Sequence, residues 1–257
     1  MSTSLRDGPG FALSPALVRQ RFGRAAARLS ESAYLYDLVA QRMDERLDYI
    51  KIAPQRILDL GSGLGRDHGL LHKRYPKAQL IAVDFAEALL HVAQPRPGLL
   101  GRWLARTTSN PAQAVCARAN ALPLAHNSVS LVWSNLMFPW LDDPTPTLQE
   151  IHRVLAVEGL LMFSSFGPDT LKELRAAFAD SPYEHVHQFI DMHDVGDALV
   201  NAGFSDPVMD MDMLTITYSS VSDLFRDLRA AAATNASVRR APGLLGRERW
   251  QRAQARL

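Results

Sequence analysis

The sequence predicts an α/β chain built on a doubly wound, mostly parallel sheet. Three observations predict it. The run Arg56-Ile-Leu-Asp-Leu-Gly-Ser-Gly-Leu-Gly65 reads as a buried strand breaking into a glycine-rich turn and then a helix. The run Ala78-Gln-Leu-Ile-Ala-Val-Asp84 reads as a second buried strand, ending in an acid. Beyond it, short apolar runs keep alternating with helical patterns, the order that builds parallel sheets.

Taken in order, residues 1–14 look like a loose lead-in, and Ser14 is placed to cap a helix starting at Pro15. Leu17, Phe22, Ala25 and Ala26 give that helix an apolar face, and Arg19, Arg21, Arg24 and Arg28 a basic one. A second helix is predicted over 32–47. Strands are predicted at 56–60, 79–83, 115–117, 129–134 and 159–164. Between them come a helix ending before Pro76, a short one over 86–93, and one over 147–155 behind the breaker-rich Asp142-Asp-Pro-Thr-Pro146. Residues 99–112 read as a helix around Trp103 followed by a loop. After the fifth strand, a helix is predicted over 170–178 with Asp169 or Thr170 as its cap. A loop over 183–189, a helix over 192–202 stopped by Gly203, a strand within 211–218 and a helix over 221–233 complete the pattern. The tail reads as basic and irregular. No repeat or linker divides the chain, so its 257 residues read as one domain.

The loop also states what it can hold. Glycines at 61, 63 and 65 let a ligand lie against the main chain, and the helix behind them offers free N–H groups. A dinucleotide fingerprint needs G-x-G-x-x-G, but Arg66 follows the third glycine here; the phosphate-binding G-x-x-x-x-G-K-[ST] is absent as well. Asp59, two residues before the loop, would repel a pyrophosphate and suit a cation. Asp84 lies where a carboxylate can accept from both ribose hydroxyls. Asp-Leu-Gly-Ser-Gly-x-Gly followed by Val-Asp resembles motif I and its acidic partner in class I S-adenosylmethionine-dependent methyltransferases, whose cofactor carries a sulfonium, an amino group and a ribose but no phosphate.

Composition narrows the setting. Hydrophobic residues make up 47% of the chain, and its formal net charge of +1 argues against a general nucleic-acid binder. One cysteine, Cys116, excludes an internal disulfide. The N-terminus has no apolar signal core, and no run approaches the roughly 20 apolar residues of a membrane span. The expectation is a cytoplasmic protein.

Further blocks sharpen the resemblance. Phe22-Gly-Arg-Ala-Ala-Ala27, Ser134-Asn-Leu-Met-Phe-Pro-Trp140, Phe166-Gly-Pro-Asp-Thr-Leu-Lys-Glu-Leu-Arg175, Phe189-Ile-Asp-Met-His-Asp-Val-Gly-Asp197 and Asp206-Pro-Val-Met-Asp-Met211 together look like the malonyl-acyl-carrier-protein O-methyltransferases of biotin synthesis. The resemblance runs from about residue 20 to the end. It implies a Rossmann-like class I methyltransferase fold with an N-terminal helical cap (1–52), a cofactor-binding core (53–166) and an acceptor side (167–257). It implies methyl transfer from S-adenosylmethionine to the free carboxylate of a malonyl thioester on acyl carrier protein, or on coenzyme A. On that basis Asp59, Gly61, Ser62, Gly63, Gly65, Asp84, Phe85, Asn120, Ala121, Leu122, Ser134 and Asn135 are candidates to hold the cofactor. Trp140, His185, His187, Arg239 and Arg240 are candidates to hold the acceptor, the two arginines by steering an acidic carrier. No general acid or base and no metal ligand set is expected. His185, His187 and His193 lack a Cys or Glu cluster to join them; a surface loop remains the alternative for these histidines, and a turn residue for Asn135.

The sequence departs from the family pattern at several places. Arg118 stands where an Asp usually contacts adenine, leaving Asn120 as the substitute. Leu29-Ser30 replaces the Tyr-Asp of the N-terminal motif, Leu64 replaces a small polar residue, and Val157-Glu158-Gly159 replaces Pro-Gly-Gly. No strand-like run follows Tyr218, so the family's usual last strand is expected to be missing. These departures keep two alternatives open: a non-catalytic scaffold that binds cofactor weakly, or a methyltransferase for another small acceptor.

Overall fold

The order of the strands decides where a ligand can enter. The computed structural model describes residues 13–93, 111–243 and 246–257. Its strands are β1 (Arg56–Leu60), β2 (Gln79–Asp84), β3 (Gln113–Cys116), β4 (Val129–Ser134) and β5 (Leu155–Phe163), all parallel, in the order β3-β2-β1-β4-β5. The chain works outward from β1 to β3, then returns to lay β4 on the other side of β1. The loops leaving β1 and β4 therefore diverge, and a crevice opens at the carboxyl ends of the strands between them.

Side chains alternate across the sheet with the period of two that extended backbone imposes. Ile57, Leu80, Leu131 and Trp133 face one layer, packing with Ala40, Met43 and Leu47 of the N-terminal segment and Leu71. Leu58, Leu60, Ile81, Val83, Val129 and Val132 face the other, packing with Leu148, Ile151, Val195 and Leu199. The first layer is built by α2 (Tyr34–Arg46) and α3 (His68–Arg74). The second is built by α5 (Thr145–Val154) and α7 (Met192–Asn201). Helix α4 (Glu87–Ala93) lies beside β2 and β3, and α1 (Pro15–Ala25) packs against α4.

Two contacts bring the end of the chain to its beginning. Leu13 pairs antiparallel with Ser237, and Ser14 N donates to Ala236 O at 3.0 Å. In α8 (Val221–Ala230), the Asp227 carboxylate accepts from Tyr218 Oη at 2.6 Å, and its carbonyl accepts from Ser32 Oγ at 3.1 Å. The N-terminal helices thus form a roof tied down by the C-terminal third. Ser14 caps α1 by accepting from Leu17 N, and Asp191 caps α7 by accepting from His193 N.

The structure corrects the sequence reading at five places. Residues 211–218 form no strand: the segment is exposed, and Asp210 and Asp212 pair with Arg46 and Arg42 on α2, which holds it away from the sheet. The helix expected over 170–178 shrinks to α6 (Lys172–Ala177), capped by neither Asp169 nor Thr170, because Leu171 turns left-handed at φ +55°. Helix α5 starts at Thr145, taking Pro146 into its first turn, where proline's missing N–H costs nothing. Strand β5 starts at Leu155, directly after α5, and a bulge opens as Leu155 pairs with Val129 but Leu160 with Leu131. Glu158 turns this bulge at φ +63°. The tail is not irregular throughout: α9 (Arg247–Ala255) packs near α6, with Trp250 against Phe225 at 4.9 Å and Arg256 paired with Asp180. Most of the helix and loop expected over 99–112 lies outside the described residues.

Ile151 is fully buried in the larger core layer. Ile151→Ala is expected to lower unfolding free energy by about 2–5 kcal/mol, read as a shifted urea midpoint at unchanged slope.

Candidate active site

The strand-to-helix turn after β1 is fixed by backbone bonds to the end of β2. Gly61 N and Ser62 N both donate to Val83 O, at 2.8 and 3.1 Å. Gly61 turns at φ +76°, and a Cβ there would sit 2.4 Å from Met137 Cγ, so neither backbone nor space admits a side chain. Asp84 completes the turn: its Oδ2 accepts from Gly63 N at 2.9 Å and its Oδ1 from Ala86 N at 2.8 Å. One carboxylate thus sets the height of the loop against the strand beside it.

Above this turn lies a cleft spanning about 780 Å³, part of it open to solvent. Its floor is Asp59, Gly61, Ser62 and Gly63, with Asp84 and Phe85 from the end of β2. Its walls are Leu64, Leu89, Leu136 and Met137, and its roof is Phe22, Leu29 and Tyr36 from the N-terminal helices, with Trp140 at the rim. Phe22 meets Trp140 edge-on at 5.0 Å between ring centres.

Three acids reach this cleft, and all are buried: Asp59 at 2% exposure, Asp84 at 6% and Asp67 at 8%. Burial pushes Asp84 up to about 6 against the pull of its backbone donors. Burial and the neighbouring charge of Asp59 push Asp67 to about 6 as well, although its Oδ2 accepts from Trp133 Nε1 at 2.7 Å and Asn135 Nδ2 at 3.2 Å. Asp59 Oδ2 lies 3.1 Å from His68 Nε2, but the alignment is too poor for a hydrogen bond, and both atoms are buried without one. Ser62 Oγ is buried and unpartnered too. The guanidinium of Arg66 is turned to Asp37, at 2.6 Å. The floor is therefore a low-dielectric anionic seat with unused acceptors, chemistry that favours a cation.

The sequence-derived candidates divide into two groups. Asp59, Gly61, Ser62, Gly63, Asp84, Phe85, Asn135 and Trp140 converge on the cleft. Gly65 lies behind it, where φ +68° makes the turn toward α3 and a Cβ would meet the His68 ring at 2.6 Å. Ser134 is fully buried and donates to Leu60 O at 2.9 Å, joining the tips of β4 and β1 rather than facing the cleft. Asn120 and Ala121 are exposed on a turn closed by Ala121 N donating to Arg118 O at 3.0 Å, and Leu122 is buried in the core with its N–H on Glu150. None of these three lines the cleft among the described residues.

The acceptor candidates other than Trp140 sit outside the cleft as well. His187 is buried, meets Trp140 edge-on at 5.3 Å, and accepts from Ala236 N at 2.7 Å through Nε2. Burial and the charge of Arg21 hold it down at about 4. His185 stacks on Phe178 and bonds Ser181 Oγ, and His193 bonds Asp191. Arg239 pairs with Glu184 at 3.4 Å, and Arg240 Nη1 donates to Ser237 O at 3.1 Å. No group of three or more metal-ligating side chains gathers among the described residues. The sequence reading missed Asp67 and Tyr36. Asp67 sits at the N-cap position of α3 and Tyr36 in the first turn of α2, and no local motif marks either as a site residue.

The comparisons with known proteins agree with this geometry. Residues 58–163 match the family model for a methyltransferase domain. A malonyl-[acyl-carrier protein] O-methyltransferase of Laribacter hongkongensis is 50% identical over 239 residues, which cover 93% of this chain and 80% of that one. Another, of Gallionella capsiferriformans, is 46% identical, covering 94% and 83%. The chain belongs to the malonyl-[acyl-carrier protein] O-methyltransferase family. Its fold is that of class I methyltransferases. An S-adenosylmethionine-dependent methyltransferase of Thermotoga maritima superposes with a TM-score of 0.54 at 17% identity, over 74% of this chain and 82% of that one. No helix among the described residues is long and apolar enough to cross a membrane.

The raised Asp84 has a pH signature. A buried carboxyl with a folded value near 6 and an ordinary unfolded value gives stability that is fully present below the unfolded value and lost as pH rises through about 6. His187, held near 4, acts in the opposite sense over the same range. The Asp84 contribution is therefore isolated by a variant. The stability of Asp84→Asn relative to the parent is expected to move in the variant's favour by on the order of 2–3 kcal/mol from pH 4 to pH 7, measured by urea unfolding without ligand.

Proposed function

We propose that this protein transfers the methyl group of S-adenosylmethionine to the free carboxylate of a malonyl thioester on acyl carrier protein, an early step of biotin synthesis. The observation that carries the reading is the convergence of three buried carboxylates on one cleft, with Asp59 Oδ2 and Ser62 Oγ making no hydrogen bond. A cationic, amino- and hydroxyl-bearing ligand supplies what this seat lacks. In this reading Asp84 accepts from the ribose while holding Gly63, Gly61 lets the ligand approach the backbone, and Asp59, Ser62 and Asn135 face its amino-acid end. Phe22, Leu29, Tyr36 and Trp140 exclude water above it.

When bound, the cofactor supplies a methyl group already activated by sulfonium charge. The acceptor carboxylate is ionised at neutral pH, so no residue has to remove a proton. What the chain contributes is alignment and desolvation, and alignment alone can be worth roughly 7–11 kcal/mol. Arg118, at the position where the family pattern has an acid, is exposed and does not line the cleft among the described residues, which favours an enzyme over a scaffold. The proposal takes the chain as one domain in a cytoplasmic setting, with malonyl-coenzyme A as the rival acceptor and no nucleic-acid partner.

Calorimetric titration with S-adenosylhomocysteine tests the cofactor seat. Micromolar binding is expected, weakening as pH falls below about 6 because the acids must ionise to meet the ligand's α-ammonium group. Asp84→Ala is expected to weaken it tenfold or more. Absence of binding by the parent would leave a scaffold. Methyl transfer to malonyl-acyl carrier protein, compared with malonyl-coenzyme A, then tests the acceptor.

A further inference from the structure

Asp67 lines the cleft and is buried, and its neighbours hold it firmly. Trp133 Nε1 donates to its Oδ2 at 2.7 Å, and Asn135 Nδ2 donates to the same oxygen at 3.2 Å. No hydrogen bond reaches its Oδ1 among the described residues. Arg66, the cation next to it in sequence, is turned to Asp37 at 2.6 Å. Asp67 is thus a fixed, buried carboxylate in the wall of the cleft with one oxygen unspent, and such a group costs free energy until a donor meets it.

Asn135 is in the opposite state. Its Nδ2 donates to Tyr36 O at 3.0 Å as well as to Asp67, which uses both of its N–H groups, and its Oδ1 accepts from Ser164 Oγ at 3.2 Å. Ser164 Oγ in turn accepts from Leu136 N at 2.9 Å. An amide so occupied has no donor left for a ligand. It joins the roof, the residue just past β5 and Asp67, and so sets the angle at which Asp67 faces the cleft.

The strand order says which end of the cofactor Asp67 meets. Strand β1 lies between β2 and β4. Asp84 ends β2 and holds backbone donors on both oxygens. Asp59, on β1, turns its Oδ2 to His68 Nε2 at 3.1 Å. Asp67 leans on Trp133 of β4 and on Asn135 just after it. With the ribose on Asp84, the amino-acid end extends toward the tip of β4. We propose that Asp67 Oδ1 receives the α-ammonium group of S-adenosylmethionine, and that Asn135 is a positioning residue that aims this carboxylate instead of touching the cofactor. A carboxylate already held by two donors loses little freedom on meeting an ammonium ion, which favours a strong charge-assisted contact. The assignment rests on the reading of the cleft as the seat of S-adenosylmethionine.

The test titrates the full chain with S-adenosylhomocysteine and with its deaminated analogue, in which hydrogen replaces the α-amino group. The parent is expected to prefer the first by roughly ten- to a hundredfold. Asp67→Asn should remove most of that preference, weakening S-adenosylhomocysteine while sparing the analogue, whose unchanged affinity reports an intact cleft. Asp67→Glu should recover part of the preference, and Asp67→Ser replaces the Asn variant if that one does not fold. Asn135→Ala should lower the preference in the parent and not in the Asp67→Asn background, because it acts through the carboxylate. Equal weakening of both ligands by Asp67→Asn would make Asp67 a structural residue. A preference removed by Asp59→Asn but kept by Asp67→Asn would give the ammonium group to Asp59. Either result overturns the proposal, as does a parent without preference or an Asn135→Ala loss that persists without the Asp67 charge. A parent that shows the Asp67-dependent preference but methylates no malonyl thioester would refute the proposed function and leave this assignment standing.

Discussion

Asp84 accepts two backbone N–H groups, one from Gly63 in the loop after β1 and one from Ala86 in its own turn. That pair of bonds ties the ends of β1 and β2 into one rigid corner, since Gly61 and Ser62 already lean on Val83 of the same strand. The cleft depends on this corner. A Cβ at Gly61 would collide with Met137, so the β4 loop carrying Asn135, Met137 and Trp140 fits against bare backbone there. Ser134 performs the matching task on the other side by bonding Leu60 O, so β1 is anchored to both neighbours at the tip where the strand order reverses.

The same corner concentrates negative charge where water is scarce. Asp59, Asp67 and Asp84 are each more than nine-tenths buried, and the two that are raised toward 6 show first the cost of ionising a carboxyl away from water and then the charge of Asp59 beside them. The local donors reduce that cost without cancelling it: Trp133 and Asn135 serve Asp67, and Gly63 and Ala86 serve Asp84. Such strain is stable only because the sheet on either side is fully packed, with Ile57, Leu58, Leu60, Leu131, Val132 and Trp133 all at 0–1% exposure. A core of that density holds ionisable groups in positions they would leave in a softer structure.

How much of this was legible in the sequence follows the range of the forces involved. Strands β1 and β4 were readable to the residue because each is a run of apolar side chains ended by a local signal, glycine in one case and Ser134-Asn135 in the other. The floor of the site was readable for the same reason, since loop, Asp59 and Asp84 lie within one strand-turn-helix-strand unit. Residues 211–218 misled because alternation of side chains specifies only a readiness to pair, while Asp210 and Asp212 found Arg46 and Arg42 some 165 residues away. Asp67 was missed because its meaning comes from Trp133 and Asn135 across the sheet. Asn120, Ala121 and Leu122 were assigned from a family pattern, and Arg118 is where this chain leaves that pattern; the turn it closes faces outward. Glu158 shows the converse: the bulge of β5 keeps a left-handed residue where the family pattern has glycine, so the backbone shape outlasted the residue that fits it best.

The charge distribution around the cleft has a direction that no single motif encodes. The floor is acidic, built from β1, β2 and the start of α3, while α1 outside the cleft is basic, with Arg21 and Arg24 on it and the charge of Arg240 bearing on Arg21. Between them runs an uncharged aromatic partition of Phe22, Trp140 and the neutral His187. That partition matters, because acids and guanidinium groups in direct contact would pair and cancel each other. Kept apart from those arginines by rings too apolar to carry charge, the floor holds Asp59 Oδ2 and Ser62 Oγ buried without hydrogen bonds.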